Sequence, residues 1–336
     1  MNEAATTTPA ATSETREAGI PTLRILIALI RREFWEHRAL WMVPLAICPL
    51  LLISAWVSFQ GSHGFGSSTV PFGPFPWAPH TESAPTADPH LTGIALFALR
   101  QWALSIPLYL AATVILYFYL LSSLFDERKD RSILFWKSLP VSDAATVASK
   151  LLVALVVVPL GIFGLALVNN LLFTAIWDVR GALGSITFNP FVWDTGAWFK
   201  VEGLMLASVV MSILWYAPVA AYLLLVSAWS RRNVFLWAVL PPLILSVVER
   251  VAFGTSYVAS VFMYRLGGIW TALGLNQVSQ TAMLTTEHGR ILYLPKVFDA
   301  LDAGALFANT GLWVGLIIAG ALTYAAVRVR RYRDDT

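Results

Sequence analysis

The chain has 336 residues, 57% of them hydrophobic and only 13% charged, with a mean hydropathy of +0.67 and a formal net charge of +3. Soluble globular domains carry about a quarter charged residues, so the composition excludes an ordinary soluble fold and points to a single membrane domain. Cys48 is the only cysteine, which excludes an intrachain disulfide and any Cys-x-x-Cys motif.

Residues 1–21 are rich in Ala, Thr and Ser with scattered charges and are expected to form a disordered tail. They do not read as a signal peptide, because no apolar core follows a basic start. Over 22–38, Leu23, Leu26, Ile27, Ile30 and Phe34 fall on one face of a helix. Arg24, Arg31 and Arg38, seven apart, make a basic stripe, with Arg32 beside it. This predicts an amphipathic helix lying in the headgroup layer. Glu33 and Glu36 gain nothing from anionic lipid and argue that the helix also meets a protein surface.

A hydrocarbon core of about 30 Å needs roughly 20 apolar residues in a helix. Six stretches qualify, at about 40–59, 102–125, 150–177, 203–228, 233–253 and 305–327. With the N-terminus inside, the inner segments hold sixteen of the Lys and Arg residues and the outer segments seven. The positive-inside rule then places both termini in the cytoplasm. The outer stretch from Gly61 to Pro89 is rich in Gly, Ser and Pro and reads as an irregular loop. Ser256–Leu275 is apolar enough for a seventh span, but that would put Arg265 at its centre and the Arg-rich C-terminus outside. A re-entrant or interfacial helical hairpin on the outer face is the preferred reading.

The densest charge lies between spans two and three, from Asp126 to Lys137. Positive-inside bias explains Arg128, Lys129, Arg131 and Lys137. It does not explain Asp126, Glu127 and Asp130, nor the adjoining Ile133-Leu-Phe-Trp136 cluster. A short amphipathic helix across the cytoplasmic face fits both. Ser142 or Asp143 is placed to cap the helix that follows Pro140.

The run Phe125-Asp-Glu-Arg-Lys-Asp-Arg-Ser-Ile-Leu-Phe-Trp-Lys-Ser-Leu-Pro140, with Ser149-Lys150 opening the next span, resembles the "ER-x-x-x-S … SLP … SK" run of ABC-2-type permeases, the membrane subunits of type V ABC transporters. The order of elements is similar over residues 22–330. The resemblance implies a single transmembrane domain over 22–330, a C-terminal tail over 331–336, and residence in a bacterial inner membrane. It implies that 126–149 carries a coupling helix docking on a separate ATPase, with Glu127, Arg128, Asp130, Arg131 and Lys137 as docking candidates. Residues 22–38 would be the connecting helix, with Arg24, Arg31, Arg32, Glu33, Glu36 and Arg38 on it. It further implies a second permease copy, identical or not, and export of an amphipathic, lipid-like or peptide substrate.

No Walker-type phosphate loop occurs in the chain, so ATP and Mg belong to the partner and no cofactor is expected here. No catalytic motif, metal site or nucleic-acid partner is expected, and the chain is not read as an enzyme. No ionisable residue falls in the middle of the six stretches, which argues against proton-driven transport. Glu249 and Arg250, at the outer end of span five, read either as interfacial residues or as an outer gate. Trp41, Trp56, Tyr109, Tyr117, Tyr119 and Trp237 are candidates for an aromatic pathway lining, though aromatic residues in spans more often serve packing. Besides membrane lipid, the alternatives for function are a non-transporting scaffold or sensor working with an ATPase, and a polytopic membrane enzyme.

Overall fold

The computed structural model describes residues 22–57, 88–130, 141–184, 191–272, 282–286 and 289–332. The described residues are almost entirely helical. Helix α1 (Thr22–Glu36) turns at His37-Arg38 into α2 (Ala39–Val57). Then come α3 (Pro89–Lys129), α4 (Asp143–Ala182), α5 (Thr195–Trp229) and α6 (Val234–Phe253). After the short helices α7 (Tyr257–Gly267) and α8 (Ile269–Ala272) comes a hairpin of β1 (Met283–Thr286) and β2 (Gly289–Leu292). Helices α9 (Leu294–Asp299), α10 (Ala303–Ala308) and α11 (Thr310–Tyr332) complete the order.

Helices α3, α4, α5, α6 and α11 are long and apolar enough to cross a membrane. The pair α1 and α2, bent by 59°, supplies a sixth candidate. The protein is therefore a multi-pass helical membrane protein.

Local chemistry fixes the helix ends. Asp88 accepts from His90 N at 2.9 Å with Pro89 in the first turn, and the Asp194 carboxylate receives Ala197 N at 2.5 Å. Ser142 caps α4 by accepting from Ala145 N at 3.1 Å. Asn233 (φ 50°) and Gly254 (φ 67°) take left-handed backbone at the two ends of α6. A π-helical turn over Val153–Val157 interrupts α4.

Helix α3, with 41 residues, is about 60 Å long, roughly twice the hydrocarbon thickness. The spans read at 102–125, 150–177 and 203–228 are thus the middles of longer helices, whereas the span read at 233–253 coincides with α6 and the one read from 305 starts at Thr310, beyond α10. The stretch from Pro89 to Arg100, read as part of an outer segment, is helix. Helix α5 begins at Thr195, so residues 195–202 are helix too.

One apolar core, around Leu108, Leu124, Val147, Leu224 and Ala326, lies towards the end where α1 packs, here called the charged end. A second, around Trp215, Leu204, Leu306 and Leu312, lies towards the opposite, far end. Gly203 on α5 is needed at a close approach there, since a Cβ would meet the Phe298 ring of α9 at 2.8 Å.

The 254–304 region departs from an all-helical hairpin. Helix α7 has 11 residues, about 16 Å, which is too short to cross a bilayer. It turns back from α6, and its end meets α5, where Trp215 Nε1 donates to Arg265 O at 3.0 Å and Tyr216 OH to Leu266 O at 3.1 Å. Beyond α8 the described chain forms an antiparallel strand pair, Met283 opposite Leu292, which the sequence reading did not anticipate.

Candidate functional site at the charged end

The densest chemistry among the described residues is a buried ion-pair network where α1, α3, α4 and α11 meet. Lys150 on α4 is its centre and is 0% exposed. Its Nζ lies 2.9 Å from Glu33 Oε1 on α1 and 3.1 Å from Glu127 Oε1 on α3. The Glu127 carboxylate also receives Arg32 Nη2 at 3.2 Å and, through Oε2, Arg330 Nη1 on α11. Arg330 Nε continues to Asp143 Oδ1 at 3.0 Å, at the start of α4. Glu33 Oε2 accepts the Tyr119 hydroxyl at 2.9 Å, and Arg32 Nε reaches Glu36 Oε1 at 2.6 Å. Each buried carboxylate of this network, Glu33 and Glu127, therefore has two or more charge-assisted partners, which is the condition for holding charge away from water.

Arg128 extends the network to α5. Its Nη2 donates to Ser227 O at 2.6 Å and Ser230 O at 2.9 Å, carbonyls at the helix end that lack helical partners. The Ser227 hydroxyl in turn approaches the backbone N–H groups of Leu124 and Phe125.

The structure sorts the docking candidates. Glu127 and Arg128 are 5% and 9% exposed and point inward, into the bundle, so neither offers a surface to a partner. Asp130 is exposed at the end of α3. Arg131 and Lys137 lie outside the described residues. On α1, Arg24, Arg31, Arg38 and Glu36 are exposed and Arg32 is partly covered. Glu33, expected at the surface, is 1% exposed. Its position was readable: it lies three residues past Ile30 and four past Leu29, on the apolar face, where a carboxylate needs a buried partner. Lys150 counted as a positive-inside charge and as part of the Ser149-Lys150 pair opening the third span, and nothing in the pattern paired it with Glu33 or Glu127, because those contacts cross sequence separations too long to read locally.

Glu33, Glu36 and His37 bring their ligand atoms within 4.8 Å of one another, as a metal site would. Here Lys150 and Tyr119 hold Glu33, and Arg32 holds Glu36, so the protein's own donors already occupy those oxygens.

At the far end, Glu249 has a structural role. Its carboxylate accepts Thr255 Oγ1 and Tyr257 N, both at 2.6 Å, and Val258 N at 2.7 Å, capping α7. Arg250 is exposed.

The aromatic candidates do not share one space. Tyr119 faces the ion network, the Trp41 indole donates to Phe34 O, and Trp237 packs edge-on against Trp229 on the bundle's exterior. Tyr109 and Tyr117 are half-buried on α3, and the Trp56 side chain lies outside the described set.

Comparison with protein-family models, with curated proteins and with solved structures found no match to this chain.

Proposed function

We propose that this chain is the permease subunit of an ABC transporter, driven by a separate ATPase that docks on the 126–149 segment. The observation that supports this reading most is where the ion network sits. Glu127 and Arg128 precede residues 131–140, and Ser142, Asp143 and Lys150 follow them. Both flanks of the segment are thereby tied to α1, α5 and α11 by buried charge contacts. A force on the segment cannot be absorbed locally and moves the helix ends as one body, the kind of rigid motion that alternates access across a membrane.

In this reading, docking falls to exposed Asp130 and to Arg131 and Lys137, while Glu127, Arg128, Lys150 and Arg330 transmit. Helix α1 lies beside the docking segment at the cytoplasmic face of a bacterial inner membrane, and both termini are cytoplasmic. Two permease copies, identical or not, form the pathway. ATP and Mg are bound by the partner. The uncharged, aromatic-rich helices favour an amphipathic, lipid-like or peptide cargo, carried outward.

The test is affinity capture from detergent-solubilised membranes of the native host, comparing the natural chain with Arg131→Ala/Lys137→Ala. Recovery of an ATPase with the natural chain, reduced in the variant at equal helicity by circular dichroism, supports the reading. Failure to recover any ATPase removes it.

A further inference from the structure

We infer that Glu202 is a proton-binding site inside the membrane domain. This stands apart from the transporter reading and rests on a different part of the fold. Glu202 lies on α5, eight residues past its Asp194 cap, and is 5% exposed. Among the described residues neither carboxylate oxygen has a partner in hydrogen-bond geometry, the neighbouring Asn170 amide having given its N–H groups elsewhere.

Its polar neighbours are Asn170 on α4 and Tyr109 on α3. The Asn170 amide nitrogen donates to Gln101 O at 3.2 Å and to Ser105 Oγ at 3.1 Å. A backbone carbonyl can only accept, so the amide orientation is fixed, and Asn170 Oδ1 is left as a second buried acceptor without a donor. Gln101 Oε1, on a residue 0% exposed, is a third. The Tyr109 hydroxyl, which feels the Glu202 charge, is a buried donor also without a partner; Trp198 Nε1, one turn before Glu202 on α5, is another, and neither is within hydrogen-bond geometry of the carboxylate.

Among the described residues no cation balances the carboxylate. On α3, Arg100 donates to Thr174 Oγ1 at 3.0 Å and is surrounded by the rings of Phe97, Phe173, Trp177 and Phe191. On α5 itself, Lys200 turns to Asp299 of α9 at 2.6 Å. Helix α11 carries no charged residue before Arg328, and Arg265 of α7 is held at Gly311 and Trp215.

An ionised carboxylate here would lose its water and gain neither donor nor counter-charge. A proton resolves the arrangement. The carboxyl O–H becomes the missing donor to an amide oxygen, and the Tyr109 hydroxyl donates to the other carboxyl oxygen. Unlike the paired charges of the ion network, a buried carboxyl with no counter-charge in a membrane domain is a place where a proton can be held, as in the carboxylate relays of membrane proteins. The sequence reading missed this one because its fourth span began at residue 203.

The experiment is infrared difference spectroscopy on the full chain reconstituted in lipid at neutral pH, with and without sodium. The expected result is a protonated-carboxyl C=O band in both buffers, which shifts on exchange into D2O and is lost in Glu202→Gln. Tyr109→Phe, which keeps the carboxyl, shifts the band by removing a hydrogen bond, so the test survives a folding failure of the first variant. A band absent at neutral pH, or one that persists unchanged in Glu202→Gln, overturns the inference. So does a band that appears only when sodium is withdrawn, which would assign the site to an alkali cation.

Discussion

Glu33 and Lys150, 117 positions apart, meet at 2.9 Å with both side chains sealed from solvent. A buried pair of this kind adds little net stability over apolar residues of the same size. Removing one partner, however, costs about 3–5 kcal/mol, because the other charge is left stranded. Lys150→Met leaves Glu33 without its lysine, with only the Tyr119 hydroxyl still donating to it, and removes one of the three cations on Glu127, so it is expected to lower the melting temperature in detergent sharply. Adding Glu33→Gln to Lys150→Met should restore part of the loss. A double-mutant cycle with strictly additive effects would show that the pair is not coupled.

Arg128 holds α3 to the end of α5 through two carbonyls. Arg128→Leu leaves both buried acceptors without a donor, at about 1–3 kcal/mol each. Arg128→Lys, with a single ammonium on a flexible stem, replaces a planar donor suited to two acceptors and is expected to fall between the two. Hydrogen exchange localises the effect. Protection of the amides around Val226–Ser230 should drop in Arg128→Leu, while that of α6 is unchanged. Equal loss throughout the bundle would mean that Arg128 supports the whole fold rather than this junction.

How much of this was legible in the sequence depends on distance along the chain. Apolar runs and local caps are short-range signals, so the long helices, the Ser142 cap and the amphipathic face of α1 were readable from Leu26, Ile30 and Phe34. The helix ends were not. Hydropathy stops where charge begins, yet α3, α4 and α5 run on past the apolar stretch with charged residues such as Glu127, Lys150 and Glu202 turned inward. Whether a charge near a helix end faces water or another charge is decided by partners far along the chain, as with Arg330 and Glu127, 203 positions apart. The strand pair at Met283–Leu292 was missed for another reason. It has four residues in each strand, too few for a period to stand out.

At the far end, the Arg265 guanidinium lies over the Trp215 ring at 4.6 Å and donates to Gly311 O. It occupies the space beside Gly315 on α11, where a Cβ would overlap it. Gly315→Ala is therefore expected to displace Arg265 and destabilise the protein, although alanine is normally the better helix former. In an Arg265→Ala background the same substitution should be neutral or stabilising. If Gly315→Ala costs the same in both backgrounds, α7 does not dock on α11 through Arg265.

His37 gives the charged end a pH dependence. Burial holds its pKa below the ordinary value of 6.5, outweighing the Glu33 carboxylate 3.8 Å away; Glu36 and Asp126 also favour the charged form, and Lys150 opposes it. A lowered pKa in the fold means that the unfolded chain takes up the proton first. Stability from this group is thus fully present above pH 6.5 and declines as pH falls below it, by at most about 1.4 kcal/mol per pH unit while only the unfolded chain binds the proton. Melting temperatures between pH 7.5 and about 5.5 should fall more for the natural chain than for His37→Gln. Parallel profiles would exclude His37 as the source.

The proposed orientation can be read with single cysteines, because Cys48 is the only native thiol and is buried. In a Cys48→Ala background, cysteines replacing the exposed residues Asp130 and Arg331 mark the charged end, and one replacing the partly exposed Thr255 marks the far end. If the charged end is cytoplasmic, an impermeant maleimide added to intact cells should label Thr255→Cys alone. Asp130→Cys and Arg331→Cys should react only after the membrane is opened. The two charged-end positions must behave alike, because the Arg330–Glu127 contact holds the ends of α11 and α3 together. Labelling of Asp130→Cys and Arg331→Cys from outside would invert the topology and place the 126–149 segment where no cytoplasmic ATPase can reach it, removing the proposed coupling role together with the orientation.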